Sequence, residues 1–291
     1  MKAIGIVTDS HSSIIPEMAQ RMGITVIPMP FFFGEECYYE NTSLTREDFF
    51  TRLKAGEHVT TSQLSPGQVM EVWDQALTEY EKILYIPISS GLSGSCETAM
   101  MIAREEPYAG RVFVVDNGRV STPMHRSILD AMELIEAGYS AEEIKDILEK
   151  NKERMVIYIA VNSLEYLKRG GRITAAAAMI GSVLNLKPVL RFGTGKLDAY
   201  KKTRGFLKAK HAMLEAIHED LDTTFKDAYD KGEVYLLAAS SASKEEAEEW
   251  VKEIQNEFPG MEVMYDDLSL GVCCHIGPDG LGIGLSCKPR V

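Results

Sequence analysis

The chain has 291 residues, 45% hydrophobic and 25% charged, the composition of an ordinary soluble globular protein rather than a disordered one. That length carries one large core or, more commonly, two of ordinary size. Its 31 Lys and Arg against 43 Asp and Glu leave a net charge of -12, which disfavours nonspecific binding to nucleic acid or to an anionic membrane.

The opening segment MKAIGIVTDS reaches Asp9 without the apolar core of a signal peptide, and no apolar run approaches the ~20 residues of a membrane span. Cys37, Cys96, Cys273, Cys274 and Cys287 are odd in number and irregularly spaced, unlike a disulfide framework. A cytoplasmic protein without stable membrane insertion is expected.

Ala3 to Thr8 reads as a first strand, ending in the polar loop Asp9-Ser10-His11-Ser12-Ser13, and Gly23 to Met29 reads as the next after a short helix. Ser65 fits a helix N-cap, with Pro66 at the first helical position and Gln68 closing a capping box. Val69, Trp73, Ala76, Leu77 and Tyr80 follow at helical spacing, so this helix has a buried face. Ile83 to Ile88 is a strand, Ser89 to Gly94 a loop, and the segment through Ala103 a helix. Val112 to Val115 is another strand, and Ser140 with Glu143 opens a helix to about Lys150. Strands alternating with helices predict a mostly parallel sheet with flanking helices.

A boundary is expected at residue 152, dividing the chain into an N-terminal α/β domain (1–152) and a C-terminal α/β domain (153–291). The second half opens on the strand Met155 to Val161. It continues with a helix from about Thr174 to Leu186, containing the small-residue run Ala175 to Gly181, and a hairpin of Val189 to Phe192 with Leu197 to Lys201 across Gly193-Thr194-Gly195. A helix, the strand Val234 to Ser240, a helix from Ser243 and two late strands complete it.

Three hydroxyl-rich segments stand out: Thr60-Thr61-Ser62-Gln63, Ser89 to Gly94, and Asn117 through Thr122. Loops beyond the carboxyl ends of strands are where ligands sit in open α/β sheets, and helix N-termini there favour an anion. Helix capping and turn formation account for each loop separately just as well. His275 has no zinc-type spacing around it, and the late glycines form neither a Walker loop nor a dinucleotide fingerprint, so no metal or cofactor is expected. Ser93 before His275 has the order of an α/β hydrolase, but Gly91-Leu92-Ser93-Gly94-Ser95 lacks the second glycine of the nucleophile elbow. Fourteen methionines supply flexible apolar surface suited to a lipid tail.

Taken in order, these segments resemble the DegV family, the FakB-type fatty-acid-binding proteins. The resemblance is carried by Ile6-Val7-Thr8-Asp9-Ser10, Thr61-Ser62-Gln63 with Ser65-Pro66-Gly67, and Ile88 to Ser95. It continues through Val115-Asp116, Leu164 to Ile173, Leu186 to Leu190 and His275-Ile276-Gly277-Pro278. It implies a two-domain α/β fold of the EDD type, with a mixed sheet in the C-terminal domain and a lipid tunnel between the domains. It further implies a carboxylate site at Thr61, Ser62, Ser93 and His275, with Arg172, Gly94 and Gly277 near the head group or a phosphate. The family presents its acyl chain to a separate ATP-dependent fatty acid kinase for acyl phosphate formation in phospholipid synthesis. A lipid or acyl-ester hydrolase using Ser93 and His275, or a lipid-responsive sensor, are the alternatives.

Between Lys168 and Lys210 lie eleven Lys and Arg and one acid, Asp198, a local balance of +10 that leaves -22 elsewhere. Lys201, Lys202, Arg204 and Lys208 in this stretch could dock an acidic kinase surface or form a solvated basic face. Three departures from the family pattern stand out: Leu64 in place of a proline, Asp279 in place of a glycine, and Asn117-Gly118-Arg119 in place of a serine-rich stretch. If Asp279 points into the head site, it would repel a fatty acid anion.

Overall fold

The computed structural model describes residues 2–40, 42–173, 186–193 and 195–291. The expected helix from Thr174 falls outside them through residue 185, as does Thr194 of the hairpin turn. Leu186, expected to end that helix, instead opens a strand.

The first half runs β1 (Lys2–Asp9), a 3-10 turn (Ser10–Ser12), α1 (Pro16–Met22), β2 (Thr25–Ile27), β3 (Pro30–Phe33), β4 (Glu36–Tyr39), α2 (Arg46–Lys54) and β5 (Val59–Thr61). It continues with α3 (Pro66–Glu79), β6 (Tyr80–Ile86), α4 (Ser95–Ile102), β7 (Val112–Val114), α5 (Ser121–Glu136) and α6 (Ala141–Lys150). Strands β2-β1-β6-β7 form a wholly parallel sheet. Its side chains alternate between two cores: Val7, Ile83 and Tyr85 pack against α3 and α4, while Ile6, Leu84 and Ile86 pack against α1, α5 and α6. The expected capping boxes at Ser65 and Ser140 are both formed, each contributing about 1 kcal/mol to its helix.

The second half runs β8 (Met155–Ala160), α7 (Glu165–Arg169), β9 (Leu186–Gly193), β10 (Lys196–Arg204), α8 (Phe206–Asp222), α9 (Lys226–Asp230) and β11 (Val234–Ser240). It ends with α10 (Lys244–Glu257), β12 (Val263–Asp267), α11 (Leu270–Ile276) and β13 (Leu281–Cys287). The sheet β10-β9-β8-β13-β11-β12 is mixed, with β11 and β12 parallel and the other pairs antiparallel. One face, through Val156, Tyr158, Leu236, Ile283 and Leu285, packs on α8 and α10. Period-2 geometry puts Ile157, Ile159, Leu237, Ala239, Gly282 and Gly284 on the other face.

Three features differ from the sequence reading. The antiparallel sheet β4-β3-β5 and α2 were not expected; Phe31, Phe33 and Phe49 hold them together edge to face, with centroids 5.4 and 5.6 Å apart from Phe49. Helix α5 starts inside the hydroxyl-rich segment that reads as a loop, because Pro123 is tolerated in a first turn. Helix α11 carries His275 in its last turn, where the sequence reading left the local structure open.

Candidate functional site

A cavity enclosing, mouth included, about 1080 Å³ lies between the two large sheets. The parallel sheet contributes the segments that follow its strands: His11 after β1, Met29 after β2, Ile88 and Ser93 after β6, and Val120 to Pro123 after β7. This is where α/β sheets bind ligands. The mixed sheet contributes its free face. Register sets Gly282 between Ile159 and Ala239, and Gly284 between Ile157 and Leu237. Two adjacent rows therefore have a glycine at the centre and an aliphatic side chain on each flank, which leaves a groove in the wall.

One group of polar residues is drawn together on this space. Thr61, Ser62, Ser93, Arg172 and His275 all line it. Thr61 ends β5, which pairs with β3, and its Oγ1 lies 2.9 Å from His275 Nε2. Burial pushes the His275 imidazole down to about 4, with Arg172 and His11 adding repulsion, so the ring is neutral at pH 7. His275 Nδ1 is buried without a partner among the described residues. A bare lone pair there costs less than an orphaned N–H, which favours the tautomer with the proton on Nε2. The ring then donates to Thr61 Oγ1 and frees the Thr61 hydroxyl proton for a ligand. Gly170 is what admits the imidazole, since a Cβ there would fall 2.0 Å from Nδ1.

Ser93 Oγ lies 2.9 Å from Ser95 Oγ and accepts the Ser95 N–H at 3.3 Å, just before α4. Ser62 is exposed, and its hydroxyl donates to Gln63 O. Arg172 sits exposed at the mouth, its Nε and Nη2 each 3.2 Å from Leu92 O and its Nη1 2.6 Å from Gly170 O. It thereby ties the Gly170-Gly171 turn to the Ser93 loop. The contact that a Ser93–His275 hydrolase would use is not formed; each side chain bonds elsewhere.

Other expected residues lie outside the lining. Gly94 is the N-cap of α4, and Gly277 closes α11 at φ 78, where a Cβ would strike the Tyr166 ring. Lys201, Lys202 and Arg204 are exposed on β10, the edge strand, with Lys201 3.3 Å from Glu215. Asp279 does not point inward: its Oδ2 accepts from Asn162 at 3.2 Å and its Oδ1 lies 3.6 Å from Lys54 Nζ. The expected repulsion of an anion has no geometric basis. Arg119, in the segment that departs from the family pattern, is fully buried and joins the two halves, donating to Ser286 Oγ at 2.8 Å and to Asn151 O at 3.2 Å.

Sequence reasoning missed the glycine-bearing wall and His11. The alternation Leu281-Gly282-Ile283-Gly284-Leu285 held the signal for the wall, since period 2 puts both glycines on one face. His11 is 8% exposed and lines the cavity, but its loop reads from sequence as a simple turn. Among the described residues no cluster of His, Cys, Asp and Glu is arranged to hold a metal ion, and no helix is long and apolar enough to cross a membrane.

The model for uncharacterised proteins of the DegV family matches residues 3–288. A DegV domain-containing protein of Deinococcus radiodurans is 30% identical over 284 residues, covering 97% of this chain and 98% of that protein. A DegV family protein from Thermus thermophilus, solved in connection with fatty acid binding, superposes with a TM-score of 0.84 at 32% identity, covering 98% of this chain and 99% of that one. DegV of Bacillus subtilis, described as a fatty acid binding protein, gives 0.82 at 30% identity over 99% and 100% of the two chains.

Proposed function

The chain belongs to the DegV family, and from that premise we propose that it is a noncatalytic carrier of a long-chain fatty acid. The observation that carries this reading is the polarity of the cavity, which has hydroxyls, a neutral imidazole and a guanidinium at one end and aliphatic side chains with two glycines along its wall. Burial of each CH₂ supplies about 0.8 kcal/mol, so the tail provides most of the affinity. A desolvated carboxylate without partners costs several kcal/mol, so the head needs donors. Thr61 and Ser93 supply them, Ser62 is within the same wall, and His275 acts through Thr61. Arg172 at the mouth faces the head group and the charge of a phosphorylated product.

The division at residue 152 fits this role, because residues 1–152 supply donor loops and residues 153–291 supply the tail wall and His275. Lys201, Lys202, Arg204 and Lys208 serve as a basic face for an acidic ATP-dependent fatty acid kinase, which forms the acyl phosphate and carries the phosphoryl chemistry. The test is native mass spectrometry and lipid extraction after incubation with stearate. One fatty acid per chain is expected; none at any stearate concentration contradicts the reading.

A further inference from the structure

A second polar cluster lines the same cavity, about one turn of α11 from His275. It consists of His11, Ser121 and Thr122, which are 8%, 3% and 1% exposed. Asp9 fixes the His11 ring: Oδ1 accepts both the His11 backbone N–H and ring Nδ1 at 2.9 Å, and Oδ2 accepts the Ile88 N–H at 2.9 Å. Both carboxylate oxygens are acceptors, so Nδ1 carries the proton. With Nδ1 committed to Asp9, Nε2 is the ring nitrogen left for a ligand, and it has no partner among the described residues. Thr122 Oγ1 donates to Ala238 O at 3.0 Å, so its remaining capacity is as an acceptor. Ser121 is held at φ 56, a conformation disfavoured for a side-chain-bearing residue, with its Oγ 3.2 Å from Ser13 Oγ.

We infer that this cluster is a subsite for a hydroxyl group on the acyl chain, close to the carboxylate end, so that the cavity takes hydroxylated as well as plain fatty acids. The inference rests on the carrier reading above. A ligand hydroxyl has one proton, which it can give to either His11 Nε2 or Thr122 Oγ1, whereas a carboxylate has no proton to give to either. Its oxygen can in turn accept from the Ser121 hydroxyl. The position along the chain follows from α11. A Cβ on Gly271 would fall 2.9 Å from His11 Nε2, and Gly271 precedes His275 by one helical turn, about 6 Å along the axis. A few methylenes span that distance. Farther along, the wall is Ile157, Phe192, Leu237 and the two glycines, where a hydroxyl would lose its water without a partner and bind roughly tenfold to hundredfold more weakly.

The experiment is calorimetric competition of stearate against 3-hydroxystearate, 5-hydroxystearate and 12-hydroxystearate on the full chain. At least one of the two proximal isomers should bind as tightly as stearate or tighter, and the 12-hydroxy isomer about tenfold or more weakly. In H11L and, separately, in T122V, the ratio of proximal isomer to stearate should fall towards that of the distal isomer. If both proximal isomers lose tenfold on the unsubstituted protein, or if the ratio is the same in both variants, the subsite does not exist. If stearate itself fails to bind, the carrier reading falls instead.

Discussion

The polar end of the cavity is made of the ends of elements and the loops beside them, whereas the apolar wall is made of residues inside strands. Thr61 closes β5, Ser93 precedes α4, Arg172 follows α7 and His275 lies in the last turn of α11; Thr61, Arg172 and His275 are fixed by contacts from other elements, and Ser93 by Ser95. The tail wall is fixed by register alone: Ile159, Gly282 and Ala239 form one row, and Ile157, Gly284 and Leu237 the next. The two ends should therefore contribute to affinity in separable ways, the wall through the gain per methylene and the loops through a constant independent of chain length.

The largest effect is expected at the wall. Gly282→Leu fills the groove and should displace several methylenes, costing stearate about 3 kcal/mol, roughly a hundredfold, while decanoate loses much less. Isothermal titration across chain lengths measures this, and an equal loss for both acids would break the distinction between the ends. Next comes His275→Ala, which removes the donor to Thr61 and should weaken every chain length alike, by about 1.5–3 kcal/mol. A loss that grows with chain length would place His275 in the tail wall instead.

Helix α11 allows the polar end to be probed by pH. Burial pushes Glu40 up to about 7, opposed by the Leu270 N–H at the start of the helix and by Arg46. Its ordinary value is 4.5, so folding favours the protonated acid; the stability from this group is complete below about 4.5 and lost as pH rises through about 7. His275 at the other end runs oppositely, with an ordinary value of 6.5 pushed down to about 4. Its contribution is complete above 6.5 and lost as pH falls through 4. Glu40→Gln should accordingly gain about 1–2 kcal/mol at pH 8 and nothing at pH 4 in urea unfolding. The same gain at both pH values would mean that Glu40 is not held protonated. The smallest effect on lipid is expected outside both ends. Arg204→Glu, on the exposed edge strand, should leave stearate affinity within about 0.5 kcal/mol while slowing acyl phosphate formation by a fatty acid kinase. Unchanged turnover would remove the docking role.

The same comparison explains what was legible in the sequence. The parallel sheet could be read because strand runs and capping boxes are local signals, and Ser65 with Gln68 and Ser140 with Glu143 sit where they were expected. Thr61, Ser62, Ser93, Arg172 and His275 were named from ordered motifs, and the fold brings all five to one cavity. Gly94 and Gly277 follow site residues in sequence but shape the helix ends beside them, a distinction that depends on backbone direction. Asp279 looked threatening because it is four residues from His275, yet Asn162 and Lys54, distant in sequence, turn its carboxylate away. Helix α5 was hidden by its Ser121-Thr122-Pro123 start, which has the composition of a turn. The tail wall was hidden because glycines in a strand announce nothing until the neighbouring strands are in register.

The central claim is that a fatty acid lies with its carboxylate at Thr61 and Ser93 and its tail over Gly282 and Gly284. A crystal structure of the stearate complex tests it most directly. The account predicts carboxylate oxygens within about 3 Å of Thr61 Oγ1 and Ser93 Oγ, with the acyl chain crossing the two glycines. A chain bound in the reverse direction, or a carboxylate held away from both hydroxyls, would contradict it.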